Sequence, residues 1–213
     1  MRKFKYTLLL LAVVGLALVA RGYWNAAGDP IVRTATLNIA DWPENVPPVK
    51  VLLISDIHMT APDLPPERMS RLIDDFNALS PDLVLIAGDF YSGKRFATRR
   101  YSAAEIVAPL KRFRARYGVV TVLGNHDIWH DEAGFKRELR KAGLTLLENQ
   151  AVQRGPLVVG GVGDEFTNND DVPKTLTAMQ ALPGTPIILT HSPDIVPKLS
   201  SGVAAVFAGH THC

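Results

Sequence analysis

Residues 83–89 read LVLIAGD, an uninterrupted apolar run that ends in a glycine and an aspartate. A strand with one face in water would alternate apolar and polar residues, so a continuous run of this length predicts a strand buried on both faces. The glycine is a turn former, and the aspartate places a carboxylate directly after the strand. This arrangement recurs along the chain and predicts both the fold and the position of a functional site.

Four more apolar runs share this character. They are residues 49–55, 119–124, 186–190 and 204–209. Amphipathic stretches that predict helices lie between the runs, at residues 65–79, 102–117, 132–141 and 172–182. Strands that alternate with helices predict a layered α/β architecture, in which helices cover the faces of the sheets.

The N-terminal segment differs from this globular pattern. Residues 1–5 contain three basic side chains, residues 7–20 are apolar and uncharged, and residues 21–24 add an arginine, a tyrosine and a tryptophan. This order is typical of an export signal or a membrane anchor, and the basic start predicts that the globular part lies outside. No clean cleavage site follows, which favours an uncleaved signal anchor at residues 1–24. Residues 25–48 are predicted to form a linker with one edge strand at residues 31–39.

The composition limits the classes of function. Hydrophobic residues make up 47% and charged residues 21% of the chain, which is typical of a globular protein with a real core. A formal net charge of +2 provides no overall positive field, so nucleic acid is not the expected partner. The single cysteine, Cys213, cannot form a disulfide within the chain.

Polar side chains that can bind metals follow each of the five predicted strands. They are Asp56 and His58, then Asp89, then Asn125, His126 and Asp127, then His191, and finally His210 and His212. The carboxyl ends of strands in open α/β sheets line the crevice where ligands bind, so residues distant in sequence can converge there. Five of the six histidines occupy these positions, and only His130 stands apart. A closed zinc site built with Cys213 is a poor alternative, because such sites need four ligands at local spacing.

The predicted ligands favour a pair of divalent ions. Carboxylates, an amide oxygen and imidazoles suit Mn, Fe, Zn or Co better than Ca or Mg, which prefer oxygen ligands. Two such ions, the carboxylates of Asp56 and Asp89, and one bridging hydroxide leave about one positive charge, which would attract a phosphate anion. Paired ions also make hydroxide available at neutral pH and hold both the attacking and the leaving oxygens of an in-line displacement.

These residues form a familiar set of motifs. D-I-H at residues 56–58, G-D at 88–89, G-N-H-D at 124–127, the isolated His191 and G-H-T-H at 209–212 resemble the five blocks of the calcineurin-like metallophosphoesterases. The resemblance implies a four-layer α/β/β/α sandwich of two mixed sheets, and it covers residues 49–213.

The resemblance also implies a role for each site residue. One metal would be held by Asp56, His58, Asp89 and His212. The other would be held by Asp89, Asn125, His191 and His210, so that Asp89 bridges the two. His126 matches the histidine that donates a proton to the leaving oxygen or steadies the developing charge, whereas Asp127 is expected to shape the loop.

Two departures from the family pattern affect these expectations. Many members have an aspartate three residues after the bridging one, and this chain has Ser92 there, so His126 is expected to lack an orienting carboxylate. Members also continue past the G-H-x-H block with further strands. The chain is therefore expected to be a fragment in which the C-terminal strands of the domain are missing.

The anchor and the GVGDEF stretch at residues 161–166 resemble the small bacterial membrane-bound phosphoesterases. Some relatives of that group hydrolyse the pyrophosphate of UDP-2,3-diacylglucosamine in lipid A synthesis. The leading hypothesis is therefore hydrolysis of a phosphodiester or pyrophosphate, with manganese among the candidate metals and a lipid-linked substrate, at the periplasmic side of the bacterial inner membrane. The cytoplasmic face is the alternative location. Two other functions stay open, a metal-holding binding module without catalysis and a nuclease of the same fold.

Overall fold

The computed structural model describes residues 2–40, 42–199 and 202–212. It separates into two units, which divide between residues 36 and 37. The first unit contains one helix, α1 (Arg2–Ala26), whose described side chains are exposed. By length and composition, residues 2–25 of this helix are long and apolar enough to cross a membrane. The predicted domain boundaries at residues 24 and 48 stay predictions.

The predicted edge strand at residues 31–39 is wrong. These residues form no strand in the structure, and Ile31, with 82% of its surface exposed, packs against no core. The alternating pattern was the only signal for this strand. A strand needs a neighbour to bond with its backbone, and no strand pairs with this segment among the described residues.

The second unit contains two four-stranded sheets. The first sheet comprises, in spatial order, β1 (Val51–Ile54), β2 (Leu83–Ile86), β3 (Val119–Thr121) and β4 (Thr145–Leu146). The second comprises β5 (Gln150–Arg154), β6 (Leu157–Gly161), β7 (Thr185–Leu189) and β8 (Ala205–Phe207). All neighbouring strands of the first sheet are parallel, whereas β5 is antiparallel to β6 in the second. The described part of the first sheet is therefore not mixed, although the family resemblance implies two mixed sheets.

Four α-helices accompany the sheets. They are α2 (Pro66–Ala78), α3 (Ala103–Leu110), α4 (Asn125–Lys141) and α5 (Val172–Gln180), and a 3-10 helix spans Pro193–Lys198. Helix α3 begins at a capping box formed by Ser102 and Glu105 and ends directly after Pro109, well before the predicted residue 117. Helix α4 starts earlier than predicted, at Asn125, and kinks at Asp131, so the predicted helix at residues 132–141 is its second segment.

Alternate residues of the buried strands point into different layers. Leu83 and Leu85 of β2 share a core with Val159 and Leu189 of the second sheet, so this core lies between the sheets. On the other face of β2, Val84 and Ile86 pack with Ile73, Ile106 and Leu139 of the helices. Val158 and Ile188 face the opposite way and pack with Met179 of α5. The order of layers is helix, sheet, sheet, helix, which confirms the predicted fold class.

Strands β4, β5 and β6 were not predicted. Strand β4 has only two residues, and β5 is mostly polar, so neither gives a clear apolar signal. Strand β6 is buried throughout, but it ends in Gly160 and Gly161, which interrupt the pattern. Side chains of Met179 and Leu147 occupy the space that a Cβ atom would need at these two glycines.

The parallel register places the strand ends level with one another. Ile54 pairs with Ile86, which pairs with Thr121, and in the second sheet Leu189 pairs with Phe207. The turns after β1, β2 and β3 therefore emerge side by side. A hydrogen bond from the Gly209 N–H to the His191 carbonyl joins the turns after β7 and β8.

Candidate metal centre

The structure brings the seven predicted ligands into one cluster. The Oδ2 atom of Asp89 lies 3.6 Å from His58 Nε2 and 3.4 Å from His191 Nε2. The Oδ1 atom of Asp56 lies 3.3 Å from His212 Nε2 and 4.0 Å from His58 Nε2. The carboxylates of the first sheet thus face histidines from both sheets.

The remaining predicted ligands complete the same cluster. Asn125 Oδ1 lies 3.1 Å and His210 Nδ1 lies 3.2 Å from His191 Nε2. His126 donates its backbone N–H to Asp89 Oδ1 at 2.9 Å, and its ring centre lies 5.0 Å from that of His58. All eight predicted site residues are therefore neighbours, although their positions span most of the second unit.

The donor atoms fit divalent ions. Two sets of side chains have one ligand atom each within 4.8 Å of one another, Asp56 with His58 and His212, and Asp56 with Asp89 and His191. The ring nitrogens of His58 and His212 face each other at 3.2 Å. Imidazole nitrogens and carboxylate oxygens that converge in this way are the ligand types that Zn, Fe, Mn and Co accept.

Five of the predicted ligands have an uncommon backbone conformation. Their φ angles are positive: 51° at Asp56, 47° at His58, 55° at Asp89, 70° at His210 and 50° at His212. Residues other than glycine rarely adopt this left-handed conformation, and where they do the surrounding structure must hold them in it. Each conformation bends the chain sharply after a strand, and such residues concentrate at functional sites.

Motif glycines allow these turns to approach one another. A Cβ atom at Gly124 would lie 2.7 Å from the backbone nitrogen of Asp89 and would overlap the Asp89 carboxylate. A Cβ atom at Gly209 would overlap Ser55 and come within 2.9 Å of Asp56 Oδ2. The glycines of G-N-H-D and G-H-T-H are therefore needed for close packing beside the two carboxylates.

Comparison with known proteins identifies the family. Residues 49–213 match the sequence model of the family described as calcineurin-like phosphoesterase. This chain belongs to that family. Among relatives of this chain, a Caenorhabditis elegans protein named as a metallophosphoesterase is 29% identical over 97% of the chain and 45% of its own length. A Danio rerio protein named transmembrane protein with metallophosphoesterase domain is 28% identical over 98% of the chain and 50% of its own length.

A solved structure supports the same fold. The 5'-nucleotidase precursor from Thermus thermophilus superposes with a TM-score of 0.51 at 16% identity, over 77% of this chain and 42% of the nucleotidase. At this identity the likeness concerns the fold alone. The chain spans about half the length of the curated relatives it matches.

Burial and neighbouring charge shift the pKa values of the clustered side chains in opposite directions. Burial by itself would lower the pKa of His191, but the hydrogen bond and charge of Asp89 outweigh it and raise this pKa to about 9. Burial would raise the pKa of Asp89, and His191 in turn holds it below its usual range. Burial lowers the pKa of His58. A metal that binds His191 must displace its proton, so metal binding strengthens as the pH rises.

Asp127 shapes the loop before α4, as the sequence predicts. Its buried carboxylate accepts hydrogen bonds from the backbone N–H groups of Tyr91 and Gly124, both at 3.0 Å. Burial and the nearby charge of Asp89 raise the pKa of Asp127 to about 7. These bonds join the turn after β2 to the turn after β3, although the two are more than thirty residues apart.

Ser92 and His126 lie beside the cluster, and the orienting carboxylate expected to be missing at His126 stays a prediction. Among the described residues, no hydrogen-bond partner contacts the ring nitrogens of His126, and the Ser92 hydroxyl accepts the backbone N–H of Lys94. His130 lies outside the cluster and stacks on Tyr91 with ring centres 3.6 Å apart. The zinc alternative that involved Cys213 concerns a residue outside the described part of the chain.

Sequence reasoning missed three residues beside the cluster. Asp164 is buried after β6 and lies close enough to His191 and His210 for their charges to lower its pKa, although burial raises it overall. An aspartate after an apolar run is the signal used elsewhere in this chain, and it could have found Asp164. Trp129 and Phe166, whose rings contact His126 and His210, had no such signal.

We expect Asp127→Asn to lower the free energy of unfolding by about 1–3 kcal/mol, because the amide can accept only one of the two backbone hydrogen bonds and its N–H2 group would face the other N–H. Urea denaturation measures this loss. Asp131→Asn is the matched control, since Asp131 accepts one bond, from Gly134 N–H at 2.9 Å, which asparagine can also accept. Equal losses in the two variants would contradict the bridging role of Asp127.

Proposed function

We propose that this protein is a metal-dependent phosphoesterase that hydrolyses a phosphodiester or pyrophosphate bond. The observation that carries the proposal is the convergence of two carboxylates, one amide and four histidines at the strand ends of a calcineurin-like phosphoesterase fold. Ring nitrogens also face each other at 3.2 Å, His58 with His212 and His191 with His210, which suits imidazoles that share a cation.

Two divalent ions would be held by the side chains expected from the family. Asp56, His58, Asp89 and His212 would hold one ion, and Asp89, Asn125, His191 and His210 the other. The position of Asp89 supports its bridging role, because one carboxylate oxygen faces a histidine of each set, His58 at 3.6 Å and His191 at 3.4 Å. When bound, the ions would activate a water nucleophile and neutralise the phosphoryl oxygens.

His126 would donate a proton to the leaving oxygen. Its backbone N–H bonds to Asp89 Oδ1, which fixes the residue against the cluster, while its partly buried ring stands edge-on to His58. A proton donor must not be occupied as a metal ligand, and His126 belongs to neither group of side chains whose ligand atoms converge.

Membrane attachment and a lipid-linked substrate are the finer parts of the proposal. The length and apolar composition of α1 and the names of relatives from Danio rerio and Bos taurus, transmembrane protein with metallophosphoesterase domain, support an anchor. An anchored enzyme would meet lipid-linked phosphoesters at the membrane surface. The relation to UDP-2,3-diacylglucosamine hydrolases and the periplasmic location stay predictions.

We expect the full chain, loaded with manganese, to hydrolyse bis(p-nitrophenyl) phosphate. Asp89→Asn removes the bridging charge, so activity should fall at least about a hundredfold and metal content should fall with it. Asp74→Asn, which changes an exposed carboxylate paired with Arg112, is the control and should keep both.

Other outcomes of this experiment identify the alternatives. Full activity in Asp89→Asn would reject the assignment. Two bound ions per chain without cleavage of any phosphoester would favour a binding module. Salt-dependent binding and cleavage of DNA would favour the nuclease.

We expect His126→Gln to lower kcat by about 10²–10⁴-fold, the usual contribution of a general acid, with metal content unchanged. His130→Gln is the matched control, because His130 stacks on Tyr91 outside the cluster. Steady-state kinetics and metal analysis of both variants test the role. Unchanged kcat in His126→Gln, or a loss of metal, would show that His126 is not the proton donor.

We expect the full chain, expressed in a bacterial host, to remain in the membrane fraction after an alkaline carbonate wash and to be released by detergent. Substituting Leu11 and Val14 with arginine should prevent this, since each arginine at a helix centre costs roughly 2.5–3.5 kcal/mol on insertion. A shortened, soluble chain would instead indicate a cleaved export signal.

A further inference from the structure

Trp129 and Phe166 form an exposed aromatic ledge beside the candidate metal centre. Trp129 is 61% and Phe166 53% exposed, and their ring centres lie 5.8 Å apart at an interplanar angle of 64°. This is the edge-to-face arrangement that aromatic pairs prefer. The two side chains follow strands of different sheets. Trp129 lies in the first segment of α4, after β3 of the first sheet, and Phe166 lies in the turn after β6 of the second sheet.

Both rings of the aromatic ledge contact the cluster. The Trp129 ring lies 5.5 Å from that of His126, and the Phe166 ring lies 5.2 Å from that of His210. Four rings therefore follow one another from the proposed proton donor, across the ledge, to a proposed metal ligand. The ledge forms one continuous rim along this side of the cluster.

Ordered turns hold the aromatic ledge in place. Around Phe166, Asp164 Oδ2 accepts the Thr167 N–H at 3.0 Å, and the Asp164 carbonyl accepts the Asn169 N–H at 2.9 Å. Trp129 lies on the short helical segment that Asp127 caps and that ends at the Asp131 kink. Defined local structure therefore presents two large apolar rings to solvent.

Exposure alone would not single out these residues. Phe96 is 95% exposed, and isolated apolar side chains are normal on protein surfaces. Trp129 and Phe166 differ from Phe96 because their rings contact each other and each contacts the ring of a site histidine. Among the described residues, the Phe96 ring has no such ring contact. Binding sites combine a few polar groups with an apolar wall of this kind.

We propose that the aromatic ledge binds an apolar ring in the leaving group of the substrate. This inference rests on the proposed function, because it takes His126 as the donor to the leaving oxygen. A group attached to an oxygen that His126 protonates would lie on the His126 side of the cluster, where the neighbouring ring is that of Trp129. The substrate class is therefore a phosphoester whose leaving alcohol carries a flat apolar ring within a few atoms of the phosphorus.

Two phosphonates that cannot be hydrolysed test the aromatic ledge without relying on turnover. Ethylphosphonate presents only the phosphoryl group to the metals, and 2-phenylethylphosphonate adds the ring. Their dissociation constants are measured by calorimetry on the full chain, in detergent and loaded with manganese. We expect the phenyl compound to bind about three- to tenfold more tightly, the contribution of one favourable aromatic contact.

Trp129→Ala and Phe166→Ala should each remove most of this advantage and leave the affinity for ethylphosphonate unchanged. Both residues are exposed, so the variants are expected to fold, and thermal melting followed by circular dichroism checks this. Phe96→Ala is the matched control and should keep the full advantage of the phenyl compound.

The outcomes separate the two levels of the proposal. If neither phosphonate binds the metal-loaded chain, the proposed function is wrong and the ledge assignment falls with it. If both bind equally well, or if the advantage of the ring survives both substitutions, the ledge assignment is wrong and the metal centre stands. An equal loss in Phe96→Ala would also overturn it, because the effect would not belong to the ledge.

Discussion

The buried carboxylate of Asp89 is the constraint on which the rest of the structure depends. It is 2% exposed, and burying a charged group is costly unless donors and opposite charges surround it. The His126 N–H and the rings of His58 and His191 supply that surrounding, and they come from the turns after three different strands. Those turns can approach only because Gly124 leaves room beside the carboxylate and because Asp89 itself adopts a left-handed backbone. One side chain thus couples the conformations of several distant turns.

The four-layer arrangement follows from where the ligands originate. Asp56, Asp89 and Asn125 follow strands of the first sheet, whereas His191 and His210 follow strands of the second. The two sheets pack face to face, and this packing brings the strand ends of one sheet close to those of the other. The shared core of leucine, valine and isoleucine fixes the distance between the two sheets, because close-packed protein interiors are hardly compressible. The helices outside each sheet shield its other face from water.

The site divides its chemistry between two surfaces. The cluster of carboxylates and imidazoles suits metals and a phosphoryl group, which are charged, and the aromatic ledge suits a neutral ring. His126 and His210 lie where the two surfaces meet, so the bond to be broken would sit at the boundary between them. Helix α1 is a third feature, since by length and composition it is long and apolar enough to cross a membrane. In the proposed mechanism, charge would select the reacting group and apolar surface would select what is attached to it.

The local sequence was enough for the five apolar strands, the polar residues that follow them and the N-terminal apolar helix, because each is a short pattern that reports burial directly. It was also enough for the α/β class, since alternation of elements permits few other packings. It was misleading for residues 31–39, where an alternating pattern had no strand to pair with. It also missed β6, whose glycines make room for the side chains of Met179 and Leu147 from other segments. The bond from the Tyr91 N–H to Asp127 joins two distant turns, and the aromatic ledge exists only because turns from the two sheets meet. Only the tertiary structure decided these features, because each depends on a distance between segments that are remote along the chain, and packing of the whole domain sets such distances.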